Sequence, residues 1–449
     1  MHKYIPNTDD VKQEMLDAIG VSSIEDLFID IPKDLKVEGD LNLDKAQSEI
    51  EIRKDICAMV SKNQTTEELT CFLGAGTYDH YIPSIIKHII TRGEFLTSYT
   101  PYQPEISQGT LQMIFEFQTM ICSLTGMDVT NASMYDGATA CTEAAILACA
   151  ESKKDKVLVS EALNPESKAV LKTYLDARNL TIVEVPMKDG VTDIEALKNL
   201  ADKDTAGVIV QSPNFFGIIE DVEAAGEIIH EANKKAKLIM YTDPISLAVL
   251  KSPKDMNVDI VVGDAQALGN AMAYGGPHIG FFAVNSKLVR KMPGRIVGQS
   301  TDADGRRAFV LTLQAREQHI RRYKATSNIC SNQGLNALIT SIYLTTMGKE
   351  GLKEVALQSA KKAQYAFNEL TKGGKFKPLF PNQPFFKEFA ITSDSSVEDI
   401  NAALLKENIL GGYDLGKDYS DLKNGLLIAV TEKRTKEEID KLASAMEVL

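Results

Sequence analysis

Between residues 129 and 284 the hydrophobic pattern switches period again and again. That alternation restricts the fold more than any other feature of the chain. Short apolar runs ("VTNASMY", "KVLVSE", "TIVEVP", "AGVIVQS", "LIMYTD", "DIVVGD", "GFFAV") read as strands. Longer segments with apolar positions three and four apart, such as "ATACTEAAILACAES" and "EDVEAAGEIIHEANKK", separate most of them and read as helices. The order predicts an α/β fold: a mainly parallel, doubly wound sheet with helices on both faces. Ligands of such sheets bind beyond the carboxyl ends of the strands.

The flanks divide the chain further. Residues 1–62 are expected to form a helical arm: "NTDDVKQEMLDAIG" opens on Asn7 or Thr8 as cap and closes on Gly20, and "LDKAQSEIEIRKDICAMVSK" is a longer amphipathic helix. Residues 63–330 are expected to form the large α/β domain. Residues 331–449 follow as connecting helices, 331–348 and 350–372, and a small α+β domain. That domain carries the strands "FFKEFAIT" and "LLIAV", a capping pair at Ser396 and Asp399, and a capping box at Thr435 and Glu438. At 449 residues the chain is long enough for two or three domains with ample core.

Charge and composition narrow the class. The net charge of −13 disfavours nucleic-acid or anionic-membrane partners, and no apolar run approaches the roughly 20 residues a bilayer span needs. The opening "MHKYIPNTDDVKQEML" has no apolar signal core. Cys57, Cys71, Cys122, Cys141, Cys149 and Cys330 form no CxxC pair and read as buried thiols of a reducing cytoplasm. The six histidines show no metal-ligand spacing, so no metal is expected.

Chemistry is expected at the strand ends. Asp136-Gly137-Ala138-Thr139 joins a strand directly to a helix. Such a start exposes backbone N–H groups that can cradle a phosphate, with the Thr139 hydroxyl as a further donor; a plain capped turn needs the same residues. Asp243 ends the strand "LIMYTD", and "SPNFFG" (212–217) ends the one before; each suits a pocket wall or an ordinary turn. This order of parts is familiar from enzymes that hold pyridoxal phosphate (PLP), where such an aspartate pairs with the pyridinium nitrogen. Their cofactor lysine would fall just after "DIVVGD". Here Asp264, Ala265, Gln266 and Ala267 stand in that place, and no lysine lies between Lys254 and Lys287. Lys251, Lys254 and Lys287 are too far along the chain to be brought in by a register slip. The chain is therefore expected not to bind PLP covalently, with Asp136, Gly137, Thr139, Asp243 and Gln266 as a vestigial pocket.

The stretches "FLGAGTYDHYIPSI", "YTPYQPEISQGTLQMIFEFQTMICSLTGMDVTNASMYDGATA", "GDAQALG", "YGGPHIGFF" and "REQHIRRYKATSNICSNQ" together resemble the glycine cleavage P-protein over nearly the whole chain. The resemblance implies a PLP-dependent transferase of the aspartate aminotransferase type (fold type I). The missing lysine resembles the first of two subunits in the split form of that family. It implies a heterotetramer, two of each, in which subunit 2 carries the lysine and the PLP. Glycine would lose CO₂ there and pass its aminomethyl group to the lipoyl arm of H-protein. Within the irregular segment 71–110, the resemblance and the fold type point to Tyr99, Tyr102, Gln103 and Glu105 as residues lent to the partner's pocket; interface packing is the other reading of them. Tyr78, Asp79 and His80 would serve likewise, with His80 read first as a structural histidine. Arg295, Arg316, Arg321 and Arg322 would meet carboxylates or a partner, and a solvated face is expected for most of them. Tyr323 departs from the acidic residue usual after the arginine pair, so an ion pair expected there is in doubt. Two alternatives stay open: a self-sufficient PLP enzyme using another lysine, such as Lys324, and a non-catalytic scaffold.

Overall fold

A computed structural model describes the chain apart from residues 1–3, 5, 38, 328, 330 and 449; the thiol of Cys330 thus lies outside the described residues. The chain divides into two compact units, residues 1–64 and 65–449. In the first unit, α1 (Asp9–Ile19) starts on Thr8, whose hydroxyl accepts from the Val11 N–H. It stops at Gly20, whose φ of 85° lets the last turn close. α2 (Glu49–Val60) opens on a capping box between Ser48 and Glu51. Ile19, Ile50, Ile56 and Met59 remain exposed on these helices.

The second unit is built on the sheet that the alternation predicts. Its strands are β1 (Val129–Thr130), β2 (Lys156–Ser160), β3 (Thr181–Val185), β4 (Thr205–Gln211), β5 (Lys237–Tyr241), β6 (Ile260–Asp264) and β7 (Gly280–Val284). They lie in the order β1-β7-β6-β5-β4-β2-β3. Pairing is parallel from β3 to β6, and β7 runs against both its neighbours. The β4, β5 and β6 strands are apolar on both faces because both faces are covered. One buried cluster holds Leu158, Val208, Leu238 and Phe281, and the other holds Val157, Ile209, Ile239 and Phe282. These residues alternate along each strand, as the two-residue period requires.

Helix α3 (Gln108–Thr125) crosses the region beside a hairpin of β8 (Ile296–Thr301) and β9 (Arg307–Thr312). The hairpin was not expected from the polar, arginine-rich segment 285–330. It is held from outside the sheet pattern: the Gln118 amide pairs with Val297 N–H and C=O, and Gln108 with those of Phe309. Ser107 precedes α3 as a serine suited to cap it, but its side chain makes no cap bond; its backbone sits at φ −123° and ψ 21°. Helix α4 (Gly137–Ser152) leaves β1 through a short turn. The long α8 takes the run Gly334–Thr371, broken at Gly348, where φ 59° and ψ −171° leave the helical region; α5 (Pro165–Ala177), α6 (Ile194–Leu200) and α7 (Val222–Ala232) precede it. The break falls where the two connecting helices were expected to meet.

After α8 comes a small antiparallel sheet of β10 (Lys377–Pro378), β11 (Glu388–Thr392), β12 (Tyr413–Asp414) and β13 (Gly425–Ala429), in the order β10-β11-β13-β12. Helices α9 (Val397–Lys406) and α10 (Lys436–Val448) accompany it, each with the cap read from sequence: Ser396 accepts from Asp399 N–H, and Thr435 and Glu438 bond reciprocally. The entry to β11 is stitched to the loop after β4. Ile219 N–H donates to Pro384 C=O and Phe386 N–H to Gly217 C=O. Gly217 has φ 82°, and a Cβ there would run into the Glu388 backbone. Only a glycine permits this approach. It brings residues 386–388 against the carboxyl ends of β4, β5 and β6. Among the described residues no helix is long and apolar enough to cross a membrane.

Candidate active site

The carboxyl ends of β4 to β6 enclose a cavity of about 40 Å³, lined among others by Asp243, Asp264, Gln266, Tyr78, Asn214 and Lys387. That is room for a few water molecules. Three segments far apart in sequence meet in it: the strand ends, residues 72–81, and the entry to β11.

Lys387 occupies the centre. Its side chain is 2% exposed, and Nζ lies 2.5 Å from Asp243 Oδ2. Nζ also donates to His80 Nε2 at 2.9 Å and sits 3.6 Å from the centroid of the Tyr78 ring. The carboxylate, the imidazole nitrogen and the aromatic face give the ammonium an acceptor in each direction. Beyond it, His80 Nδ1 lies 2.6 Å from Glu432 Oε2, and Tyr81 N–H donates to Glu432 Oε1. A carboxylate only accepts, so Nδ1 carries the proton and Nε2 receives from Lys387. Burial, aided by the neighbouring Lys387 charge, lowers the His80 pKa and keeps the ring neutral. Burial works to raise Glu432, but its bonds from His80 and Tyr81 overcome that and hold it below its ordinary value. His80 is thus hydrogen-bonded at both ring nitrogens within the fold.

Glu388 and Tyr78 form a second layer. Glu388 Oε1 accepts from Ala75 N–H at 2.6 Å and Oε2 from the Tyr78 hydroxyl at 2.8 Å. Burial lifts the Glu388 carboxyl to about 7 and holds the Tyr78 phenol well above its ordinary value. Gln266, standing where a cofactor lysine was sought, is fully engaged: Oε1 accepts from Tyr78 N–H, and Nε2 donates to Asn270 C=O. Asp243 also performs the turn-capping role read as its alternative, since Oδ1 accepts from Ile245 N–H.

At the start of α4 the N–H groups of Gly137 and Thr139 already have carboxylate partners. Asp136 is the N-cap, and its Oδ1 accepts from both the N–H and the hydroxyl of Thr139. Gly137 N–H donates to Asp264 Oδ2. A Cβ on Gly137 would strike the Tyr241 hydroxyl, so the helix start sits hard against the strand ends. A wider cleft opens here, lined by Asp136, Glu166, Asp264 and His278. The His278 imidazole faces Asp264 at 3.3 Å, and that hydrogen bond raises its pKa.

These residues do not fit PLP. A phosphate at the α4 start would meet the carboxylates of Asp136, Asp264 and Glu166 and find the N–H donors of Gly137 and Thr139 taken. A ring nitrogen on Asp243 would displace the Lys387 ammonium. Lys387 is an amine inside the pocket, and the search for a lysine after "DIVVGD" missed it. It is no substitute anchor, because the aldehyde carbon and ring nitrogen of PLP lie at opposite positions of the ring, and Lys387 stands at the nitrogen end. Lys324 is exposed beside Tyr323, and Lys251 and Lys254 pair with Glu223 and Asp128 at the surface.

Tyr99, Tyr102, Gln103 and Glu105 lie elsewhere, on an exposed loop, and none lines the cavity. Tyr99 is 80% exposed, with its hydroxyl 3.3 Å from Ser331. The Tyr102 hydroxyl accepts from Arg295 Nη2 at 2.6 Å and faces Glu317 at 3.4 Å, and its ring meets His319 edge-on. Arg295 corrects the expected solvated arginine face, being 4% exposed. Arg316 is partly buried and donates to Met292 and Gly294 carbonyls, while Arg321 and Arg322 are exposed. Among the described residues, no group of three or more His, Cys, Asp or Glu side chains is placed to hold a metal ion. Besides Lys387, the residues Glu388, Glu432 and His278 were not singled out from sequence, and Asp264 was noted only as standing in the lysine's place. Only the adjacency of Lys387 and Glu388 at an otherwise apolar strand start signalled two of them.

The model of the glycine cleavage system P-protein family matches residues 2–446. A relative from Geobacillus sp. (strain WCH70), called "Probable glycine dehydrogenase (decarboxylating) subunit 1", is 56% identical over 440 residues, covering 98% of this chain and 97% of its own. The crystal structure of an inhibitor-bound glycine decarboxylase (P-protein) of the glycine cleavage system superposes with a TM-score of 0.90. It is 41% identical and covers all of both chains. A Lactobacillus brevis glutamate decarboxylase, 13% identical at a TM-score of 0.68 and covering 92% of this chain and 95% of its own, shares the fold. The fold is that of the PLP-dependent transferases of type I.

Proposed function

The chain belongs to the glycine cleavage P-protein family, and on that footing we propose that it is the lysine-free first subunit of a glycine dehydrogenase (decarboxylating). Subunit 2 carries the lysine and the PLP, and the enzyme holds two of each chain. Together they release CO₂ from glycine and transfer the aminomethyl group to the lipoyl arm of H-protein in the cytoplasm. The observation that supports the division of labour is the Lys387–Asp243 pair, an ammonium standing where the cofactor's ring nitrogen would pair. When bound in subunit 2, PLP supplies the electron sink for the bond that breaks.

This chain's own part is to complete the partner's pocket from the loop around Tyr102. Arg295 and Glu317 support that reading, because they hold the Tyr102 hydroxyl in one orientation although the ring is 43% exposed. Tyr99, Gln103 and Glu105, on the same loop, line and hydrogen-bond the substrate's path, and Arg295 is a positioning residue.

Reconstitution tests the reading. This chain, subunit 2 and their mixture are each assayed for CO₂ release from carboxyl-labelled glycine with lipoylated H-protein. Only the mixture is expected to turn over; release by this chain alone would sink the proposal. In the mixture, Tyr102→Phe is expected to lower kcat about tenfold or more with assembly intact, the scale of a lost oriented hydroxyl. Unchanged turnover with weakened assembly would favour a scaffold instead.

A further inference from the structure

We propose that Lys387 is the resident ligand of this pocket: its ammonium stands in for a pyridinium against Asp243 and bolts the entry of β11 to the carboxyl edge of the large sheet. Three observations meet in this assignment. The ammonium has the surroundings a bound organic cation would require, with Asp243 Oδ2 at 2.5 Å, His80 Nε2 at 2.9 Å and the Tyr78 ring at 3.6 Å. Both members are withdrawn from water, at 2% and 14% side-chain exposure, so neither tolerates loss of the other. The contact also joins residues 144 positions apart, at the point where Phe386 N–H donates to Gly217 C=O and Ala75 N–H to the Glu388 carboxylate.

A carboxylate and an aromatic face do not distinguish a protonated ring nitrogen from an alkylammonium; each is a monocation with an N–H to donate. The chain thus folds around a cation of its own in the slot where relatives of this fold type bind theirs. Removing the side chain beyond Cβ would leave a socket with the shape and charge preference of n-propylammonium, the fragment deleted by Lys387→Ala.

The test uses the full-length chain as wild type, Lys387→Ala, and Lys387→Ala with Asp243→Asn. Thermal midpoints are read against n-propylammonium chloride, with sodium chloride at equal ionic strength as control. Lys387→Ala is expected to melt about 5 °C below wild type, as loss of one partner of a buried pair implies. Propylammonium is expected to restore that midpoint saturably and to leave wild type and the double variant unmoved. A Lys387→Ala chain as stable as wild type would overturn the proposal. So would a propylammonium response no larger than that of the double variant. If Lys387→Ala yields no folded chain, Lys387→Met is compared with Lys387→Met plus Asp243→Asn. Recovery in the double variant supports an unpaired buried carboxylate as the fault, and no recovery overturns it. Glycine plays no part in these readouts, so they succeed or fail separately from the proposed activity.

Discussion

Glu388 follows Lys387 directly and faces a different demand. Its carboxyl is buried and accepts from Ala75 and Tyr78, yet its pKa stands at about 7 against an ordinary 4.5, burial being the dominant cause. Between those values the folded chain keeps a proton that the unfolded chain has released. Stability contributed by that proton is present below pH 4.5 and is lost as pH rises through 7. The lift corresponds to roughly 3 kcal/mol. His80 works the opposite way: its lowered pKa costs stability as pH falls below its ordinary 6.5. Glu388→Gln removes the first effect and leaves the second. Its melting temperature relative to wild type is therefore expected to climb by several degrees between pH 4.5 and 8. Parallel pH–melting curves for the two proteins would show that Glu388 is ionised in the fold. At this scale sequence was a partial guide. Asp243 was legible from its place at a strand end, whereas Lys387 and Glu388 were only two charged residues inside the expected strand "FFKEFAIT".

Strand β11 reaches the large sheet because the loop after β4 lets it. Gly217 combines a φ of 82° with a Glu388 backbone lying where a Cβ would go, so alanine is excluded twice, by conformation and by space. Gly217→Ala is expected to destabilise the chain by more than about 1 kcal/mol and to weaken the hydrogen bonds of Phe386 and Ile219 to the opposing segments. Amide hydrogen exchange would check this: faster exchange confined to residues 212–219 and 384–390 is the expected pattern. Exchange unchanged there would mean that the two sheets meet through other contacts. The α4 start makes the same point in reverse. Its sequence, Asp136-Gly137-Ala138-Thr139, identified a helix N-terminus, but could not say whether an external anion or the chain's own carboxylates would satisfy it. Asp136 is local and could have been foreseen as the cap; Asp264 arrives from β6, 128 residues after Asp136 by count, and could not.

For the whole molecule, two of each subunit is the proposed assembly, and native mass measurement of the reconstituted enzyme checks it. A particle with twice the summed mass of the two chains is expected, and a one-to-one particle would remove the heterotetramer. What the amino-acid order determined by itself was local and periodic. The seven strands of the large sheet, the break at Gly348, and the caps at Thr8, Ser396 and Thr435 all follow from side-chain spacing within a few residues. The hairpin β8–β9 was not legible in this way, since Gln118 and Gln108 hold its backbone from a helix about 180 to 200 residues earlier. Nor was the occupant of the pocket. A charged side chain states its own charge in sequence, but its partner is chosen by which segments the folded chain brings within 3 Å. Lys387 meets Asp243, His80 and Tyr78 only when the small sheet closes on the large one. Burial then makes that meeting obligatory, because an ammonium without acceptors has no stable place inside a protein.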